Sequence, residues 1–270
     1  MKLGMSSACF FGKLDTEDAV DIMGKMGIDT CELFLSGASE YDTQFIDLLI
    51  KRMDGWKMKA TSVHALSTQF EPQLFSISHR QREDAEKVFI TVLKAAQKLG
   101  AGLYVMHGPT RVKRIHQHTP TDYERYSKLT ARLFTMAQEH NVRLCWENVH
   151  WCTFALPQFA AEIQKYEGCE SLGFVLDTKQ ALQAGHEAGE YIRAMGKNLS
   201  NVHICDCYEE NGRIVLGLPG YGRYDYHALK AKLDVAGYNG PVILEVYKDS
   251  YKDYDMLKSS YKMMQEIFEG

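Results

Sequence analysis

The strongest constraint in this sequence is its rhythm: short apolar runs of strand type alternate with amphipathic runs of helix type along the whole chain. Leu3–Cys9, Thr30–Leu35, Lys59–Leu66, Leu103–His107, Arg143–Asn148, Leu172–Asp177, Val202–Cys207 and Val242–Tyr247 read as strands. Asp15–Met26, Thr43–Met53, Arg80–Leu99, Thr121–His140, Leu156–Tyr166, Gly189–Met195, Tyr226–Val235 and Tyr254–Phe268 read as the helices that follow them. End signals support the pattern: Asp15-Thr16-Glu17-Asp18 opens one helix as a cap, and Gly100 follows Leu99 where a left-handed residue is wanted. Strands separated by helices pair in parallel, and eight such units close into a single (β/α)8 TIM barrel. A doubly wound open sheet is disfavoured, because no Gly-x-Gly-x-x-Gly follows the first strand. No linker, composition shift or low-complexity segment interrupts the rhythm, so one domain is predicted over residues 1–270.

Composition narrows the function. A hydrophobic share of 45% over 270 residues supplies a full core, and a net charge of -4 argues against a general nucleic-acid binder. No apolar run approaches the roughly 20 residues of a membrane span. The start, MKLGMSSACFF, lacks a signal peptide's long apolar region and cleavage site. The seven cysteines contain no Cys-x-x-Cys and fall mostly inside strands. Free thiols serving as small apolar residues fit better than disulfides, which points to a reducing cytoplasm.

The polar residues at the strand ends carry the functional signal. With period two, Leu144 and Trp146 share one face of their strand, while Cys145 and Glu147 share the other. An acid on an apolar inner face must be paired, protonated or bound to a metal. The same parity sets Asp177 against Leu176, His203 against Val202 and Ile204, and Glu245 against Leu244 and Val246. In a barrel these four ends converge on one mouth. Any one of them alone is explained equally well by a structural ion pair, but the four share successive strands and one parity. Three carboxylates and one imidazole suit one divalent ion, Mn²⁺, Zn²⁺, Mg²⁺ or Co²⁺. His64 and His107 also end strands and suit substrate hydroxyls, unless they are barrel histidines bonded to backbone. Arg213 is a candidate clamp for a substrate oxygen or, equally, a solvated loop residue. Glu32 reads as structural, Trp146 as packed against helices, and Trp151 as a pocket wall. Gly217–Gly222 reads as a tight loop, and the basic stretch Arg111–His116 as a solvated lid.

Glu147-Asn148, Val175-Leu176-Asp177-Thr178, Val202-His203-Ile204-Cys205-Asp206, the Pro219-Gly220-Tyr221-Gly222 loop and Leu244-Glu245 together resemble the metal-site signature of the xylose isomerase-like TIM barrel superfamily. The similarity is to its sugar isomerase/epimerase branch, with tagatose/psicose 3-epimerases, hydroxypyruvate isomerases and inositol-catabolism proteins. The resemblance implies that Glu147, Asp177, His203 and Glu245 bind one divalent metal and that Glu147 and Glu245 also move protons. It implies an enediolate stabilised by Lewis-acid polarisation of a small ketose or related polyol ketone. It also implies a homo-oligomer as a possible assembly, a small-molecule sugar as partner, and neither nucleic acid nor membrane.

The pattern departs from the family at one place. Asp-x-x-His is usual after the metal aspartate, whereas Asp177-Thr178-Lys179-Gln180 stands here. The role of that histidine then passes to Lys179 or Gln180 as a contact for substrate oxygens. The same replacement, with Gly212-Arg213-Ile214-Val215 where Asp-Arg-His is expected, argues against the three-zinc apurinic-site endonuclease relatives. A metal-dependent dehydratase of inosose or dehydroshikimate type, which would expel water after the same first step, competes with the isomerase reading. A non-catalytic sugar-binding barrel competes with both.

Overall fold

The computed structural model describes residues 1–111 and 121–270. Its elements run β1 (Lys2–Ser6), α1 (Thr16–Met26), β2 (Thr30–Leu35), α2 (Thr43–Trp56), β3 (Lys59–Ala65), α3 (Glu71–Leu74), α4 (His79–Leu99) and β4 (Leu103–Met106). They continue with α5 (Tyr123–Glu139), β5 (Arg143–Glu147), α6 (Pro157–Ile163), β6 (Gly173–Asp177), α7 (Thr178–Gln183), α8 (Ala188–Met195) and β7 (Leu199–Ile204). The last are β8 (Asp206–Glu210), β9 (Arg213–Gly217), α9 (Tyr226–Val235), β10 (Pro241–Leu244) and α10 (Tyr254–Glu269).

Eight strands close in parallel in the order β1-β10-β7-β6-β5-β4-β3-β2, giving the expected (β/α)8 barrel. The seam is the β1–β10 pairing, with Leu3 beside Val242 and Met5 beside Leu244. Parity runs as expected. Trp146 is fully buried on the outer face, 5.3 Å from Phe75 and 4.8 Å from Phe159 between ring centroids. Inside the barrel, Val105, Cys145 and Val175 pack together beneath the mouth, joined by Leu103. Gly173 is required at that level, since a Cβ there would lie 2.3 Å from Cys145 Sγ. All seven thiols are buried and free.

The structure corrects three readings of the second half. The run read as one strand over Val202–Cys207 is β7, which begins earlier and stops at Ile204; Asp206 then opens the β8–β9 hairpin outside the barrel. The change is made by Thr178, which bonds Cys205 N and O through its hydroxyl and turns the chain off the barrel. The last strand ends at Leu244, so Glu245 lies one residue beyond it, with its N–H still donating to Ile204 O at 3.1 Å. The short helix α7 was not expected; Asp177 caps it by accepting from Gln180 N at 2.8 Å. Arg111 donates its N–H to Trp151 O, whereas residues 112–116 of the basic stretch lie outside the described residues. No helix of the described residues is long and apolar enough to cross a membrane.

Candidate active site

Six strands deliver the site. Glu147 and Asp177 are the last residues of β5 and β6, His203 is the penultimate residue of β7, and Glu245 follows β10. All four are buried, and one donor atom from each lies within 4.8 Å of the others. His64 stands near the end of β3 and His107 just past β4.

The contacts form a closed ring. His203 Nδ1 lies 3.2 Å from Glu147 Oε1 and 3.0 Å from Glu245 Oε2. The second oxygen of each glutamate turns to another histidine: Glu147 Oε2 lies 2.7 Å from His107 Nε2, and Glu245 Oε1 lies 3.9 Å from His64 Nδ1. The two histidine rings then meet edge to face, 4.6 Å between centroids. Below this ring, Glu32 Oε2 lies 3.0 Å from His203 Nε2 and accepts from Ser62 Oγ at 2.7 Å and Asn201 Nδ2 at 3.2 Å.

Burial and charge compete throughout the cluster. Burial works to raise the Glu147 carboxyl, yet the His107 and His203 imidazoles outweigh it and hold it well below the usual range. For Glu245 burial likewise opposes ionisation, but His203 and Lys179 bring it down to about 2. Asp177 goes the other way: burial pushes it up to about 6 despite the nearby Lys179 ammonium. Burial depresses His203, but Glu32 and Glu245 more than reverse that and place it well above its ordinary value. His107 is raised because Glu147 overcomes burial, whereas His64 is lowered by burial and by His107.

The donor set fits a divalent cation. Among the described residues, His203 Nδ1, Glu147 Oε2, Glu32 Oε1 and both nitrogens of His64 are buried with no aligned hydrogen-bond partner. Orphaned polar atoms of this kind are costly unless something else satisfies them. His203 presents Nδ1 to Glu147 and Glu245 while its other nitrogen meets the Glu32 carboxylate, the arrangement by which carboxylates orient metal-binding histidines. Glu147, Asp177, His203 and Glu245 could therefore hold the ion, and His64 with Glu32 and Glu245, or with His107 and Glu147, form adjoining groups of the same type.

Lys179 and Gln180 part company. The Lys179 side chain is buried with Nζ 3.3 Å from Asp177 Oδ2 and 4.7 Å above the Tyr247 ring. Burial would discharge it, but Asp177 and Glu245 hold its ammonium well above the ordinary lysine range. Gln180 Oε1 is engaged by His150, from its N–H at 3.1 Å and its Nδ1 at 2.6 Å. Arg213 is not brought to the cluster: it is exposed beside the Asn211-Gly212 turn at the tip of the hairpin. Trp151 stands exposed at the mouth, 6.0 Å edge to face from His107. The Gly217–Gly222 turn folds against Asp206, whose Oδ1 accepts from Arg223 N at 3.0 Å. Sequence reading missed Asn201, Ser67 and Glu71, and it took Glu32 as structural. For Glu32 a signal existed, since an acid shares the inward parity of an otherwise apolar strand.

Comparison with known proteins agrees with the barrel fold. The protein is 25% identical over 275 residues to the uncharacterized protein ML2432 of Mycobacterium leprae, covering 93% of this chain and 91% of that one. In fold it is similar to D-psicose 3-epimerase from Clostridium cellulolyticum H10, solved with D-tagatose, at a TM-score of 0.80 and 20% identity over 99% of both chains. It is equally similar to the IolI protein solved with a bound zinc atom, at a TM-score of 0.80 and 19% identity over 99% of this chain and 98% of that one. The xylose isomerase-like TIM barrel family model matches residues 20–267, and the chain belongs to that family.

Proposed function

We propose that the protein is a divalent-metal-dependent isomerase or epimerase of a small ketose or related polyol ketone. The observation that carries this reading is the split posture of the two glutamates. Each keeps one oxygen beside His203 and turns the other toward a histidine of the mouth. They also come from β5 and from the end of β10, on the two sides of β7 in the barrel order.

A divalent cation held by Glu147, Asp177, His203 and Glu245 supplies Lewis-acid polarisation of a ketone and its neighbouring hydroxyl. The remaining work falls to the chain's own groups. One glutamate takes the carbon-bound proton on its free oxygen and later releases it to solvent, while the other relays a proton from solvent to the opposite face of the carbon, which inverts the centre. Return to the adjacent carbon isomerises instead. The fixed ammonium of Lys179 stabilises negative charge developing on substrate oxygen in a site where little water screens it. His64 and His107 contact substrate hydroxyls, and buried Asn148 fixes Asp177 by bonding both its N–H and its C=O. A sugar-like substrate is supported by the psicose epimerase relative solved with D-tagatose, and a metal by the zinc of the IolI relative.

The test is incubation with ketoses, inososes and hydroxypyruvate in D₂O with added Mn²⁺, Zn²⁺, Mg²⁺ or Co²⁺, followed by NMR. Deuterium at one carbon without loss of water is expected. Glu147→Gln and Glu245→Gln should each slow that exchange by about 10²–10⁴-fold. Loss of water assigns a dehydratase, and ligand binding with no exchange assigns a non-catalytic barrel; either outcome refutes the proposal.

A further inference from the structure

Ser67 and Glu71 lie between β3 and α4, and both end on His107. Ser67 Oγ is 2.8 Å from His107 Nδ1. Glu71 Oε2 accepts from His107 N and Gly108 N at 2.9 Å each, and its Oε1 accepts from the Tyr104 hydroxyl at 2.7 Å. Both side chains are buried, Glu71 completely. A buried carboxylate tied to one strand end is costly to keep, and its three bonds fix that end tightly. Gly108 adds a steric lock: its φ is +72°, and a Cβ there would lie 2.6 Å from the Trp146 ring.

We infer that Ser67 and Glu71 are positioning residues that hold the His107 ring with its Nε2 against the outer oxygen of Glu147. Glu71 fixes the backbone from which the ring hangs, and Ser67 fixes the ring's rotation. A hydroxyl suits this task because it donates to a bare Nδ1 and accepts from a protonated one, so it holds the ring in either form. The inference rests on Glu147 being a proton-transfer group, since only then does the set of His107 govern the rate.

The experiment compares the full-length metal-loaded protein with Ser67→Ala, Ser67→Thr, Glu71→Gln and Glu71→Ala. The His107 ring nitrogens are followed by long-range ¹H–¹⁵N correlation and assigned with His107→Gln. Ser67→Ala should shift both ring nitrogens and lower kcat by about 10–100-fold with KM changed less than about threefold. Ser67→Thr should restore both readouts. Glu71→Gln, whose amide oxygen still accepts from the backbone, should stay within about threefold of wild type, whereas Glu71→Ala should match Ser67→Ala. An unchanged ring pattern in Ser67→Ala, or a changed pattern with unaltered kcat, overturns the inference. If the wild-type protein exchanges no ketose proton, the function proposed above fails, and the ring pattern alone still decides whether Ser67 sets the ring.

Discussion

Glu71→Gln offers a quantitative test of what burial does inside this fold. Two influences oppose each other at Glu71. Burial pushes its carboxyl up to about 7, while the nearby His107 and the donors from Tyr104, Gly108 and His107 pull it down. The ordinary value is 4.5, so between pH 4.5 and 7 the folded protein holds a proton that the unfolded chain has released. Folding stability from this group is therefore undiminished below pH 4.5, falls as pH rises through that window, and stays reduced above pH 7. The difference of two and a half pH units corresponds to roughly 3 kcal/mol. For a chain of this size that is on the order of 6–12 °C in melting temperature. Glutamine keeps the shape, accepts from the two backbone amides and donates to Tyr104, but it cannot ionise. Melting curves from pH 4.5 to 8 should show the variant gaining on wild type by about that amount as pH rises. Parallel curves, or a variant that loses ground with rising pH, would mean that the hydrogen bonds hold Glu71 ionised and that the burial argument is wrong.

Three further outcomes follow from the geometry. Added divalent cation should raise the melting temperature of wild type, by the equivalent of about 2.7 kcal/mol at a hundredfold excess over Kd, and Asp177→Asn should abolish most of that gain. Glu32→Gln should weaken cation binding about 10–100-fold in a chelator competition while leaving the fold intact, because Glu32 orients His203. Gly108→Ala should destabilise the protein by about 1–3 kcal/mol in urea unfolding, since the new methyl meets Trp146 and the backbone sits in the left-handed region.

The barrel and its inner quartet were legible because both depend on local regularities. Strand–helix alternation gave the architecture, and parity gave the inward set of Glu147, Asp177, His203 and Glu245, each beside apolar residues of opposite facing. What escaped depended on relations that no period encodes. Asp206 looks like a strand residue in Val202–Cys207, but the Thr178 hydroxyl ends β7 before it, and the pairing with Gly217 makes it the start of a hairpin. That hairpin carries Arg213 out to an exposed tip. Ser67 and Glu71 fall in the short segment between β3 and α4, which carries no repeat, so their approach to His107 follows only from the parallel pairing of β3 with β4. Lys179 and Gln180 were indistinguishable in sequence, and only the helical turn after Asp177 sends one to Tyr247 and the other to His150.

The seam of the barrel would tie ion occupancy of the quartet to the stitching of distant stretches of chain. β10 leans on β1 along one edge and on β7 along the other, and Cys9 Sγ receives the N–H of Val246 just past Glu245. A charge held between Glu245 and Glu147 would therefore restrain β10 on its β7 side, and with it the ladder that β10 shares with β1. A bound cation should act as a clasp as much as a reagent, slowing amide exchange along Lys2–Ser6 although none of those residues touches it.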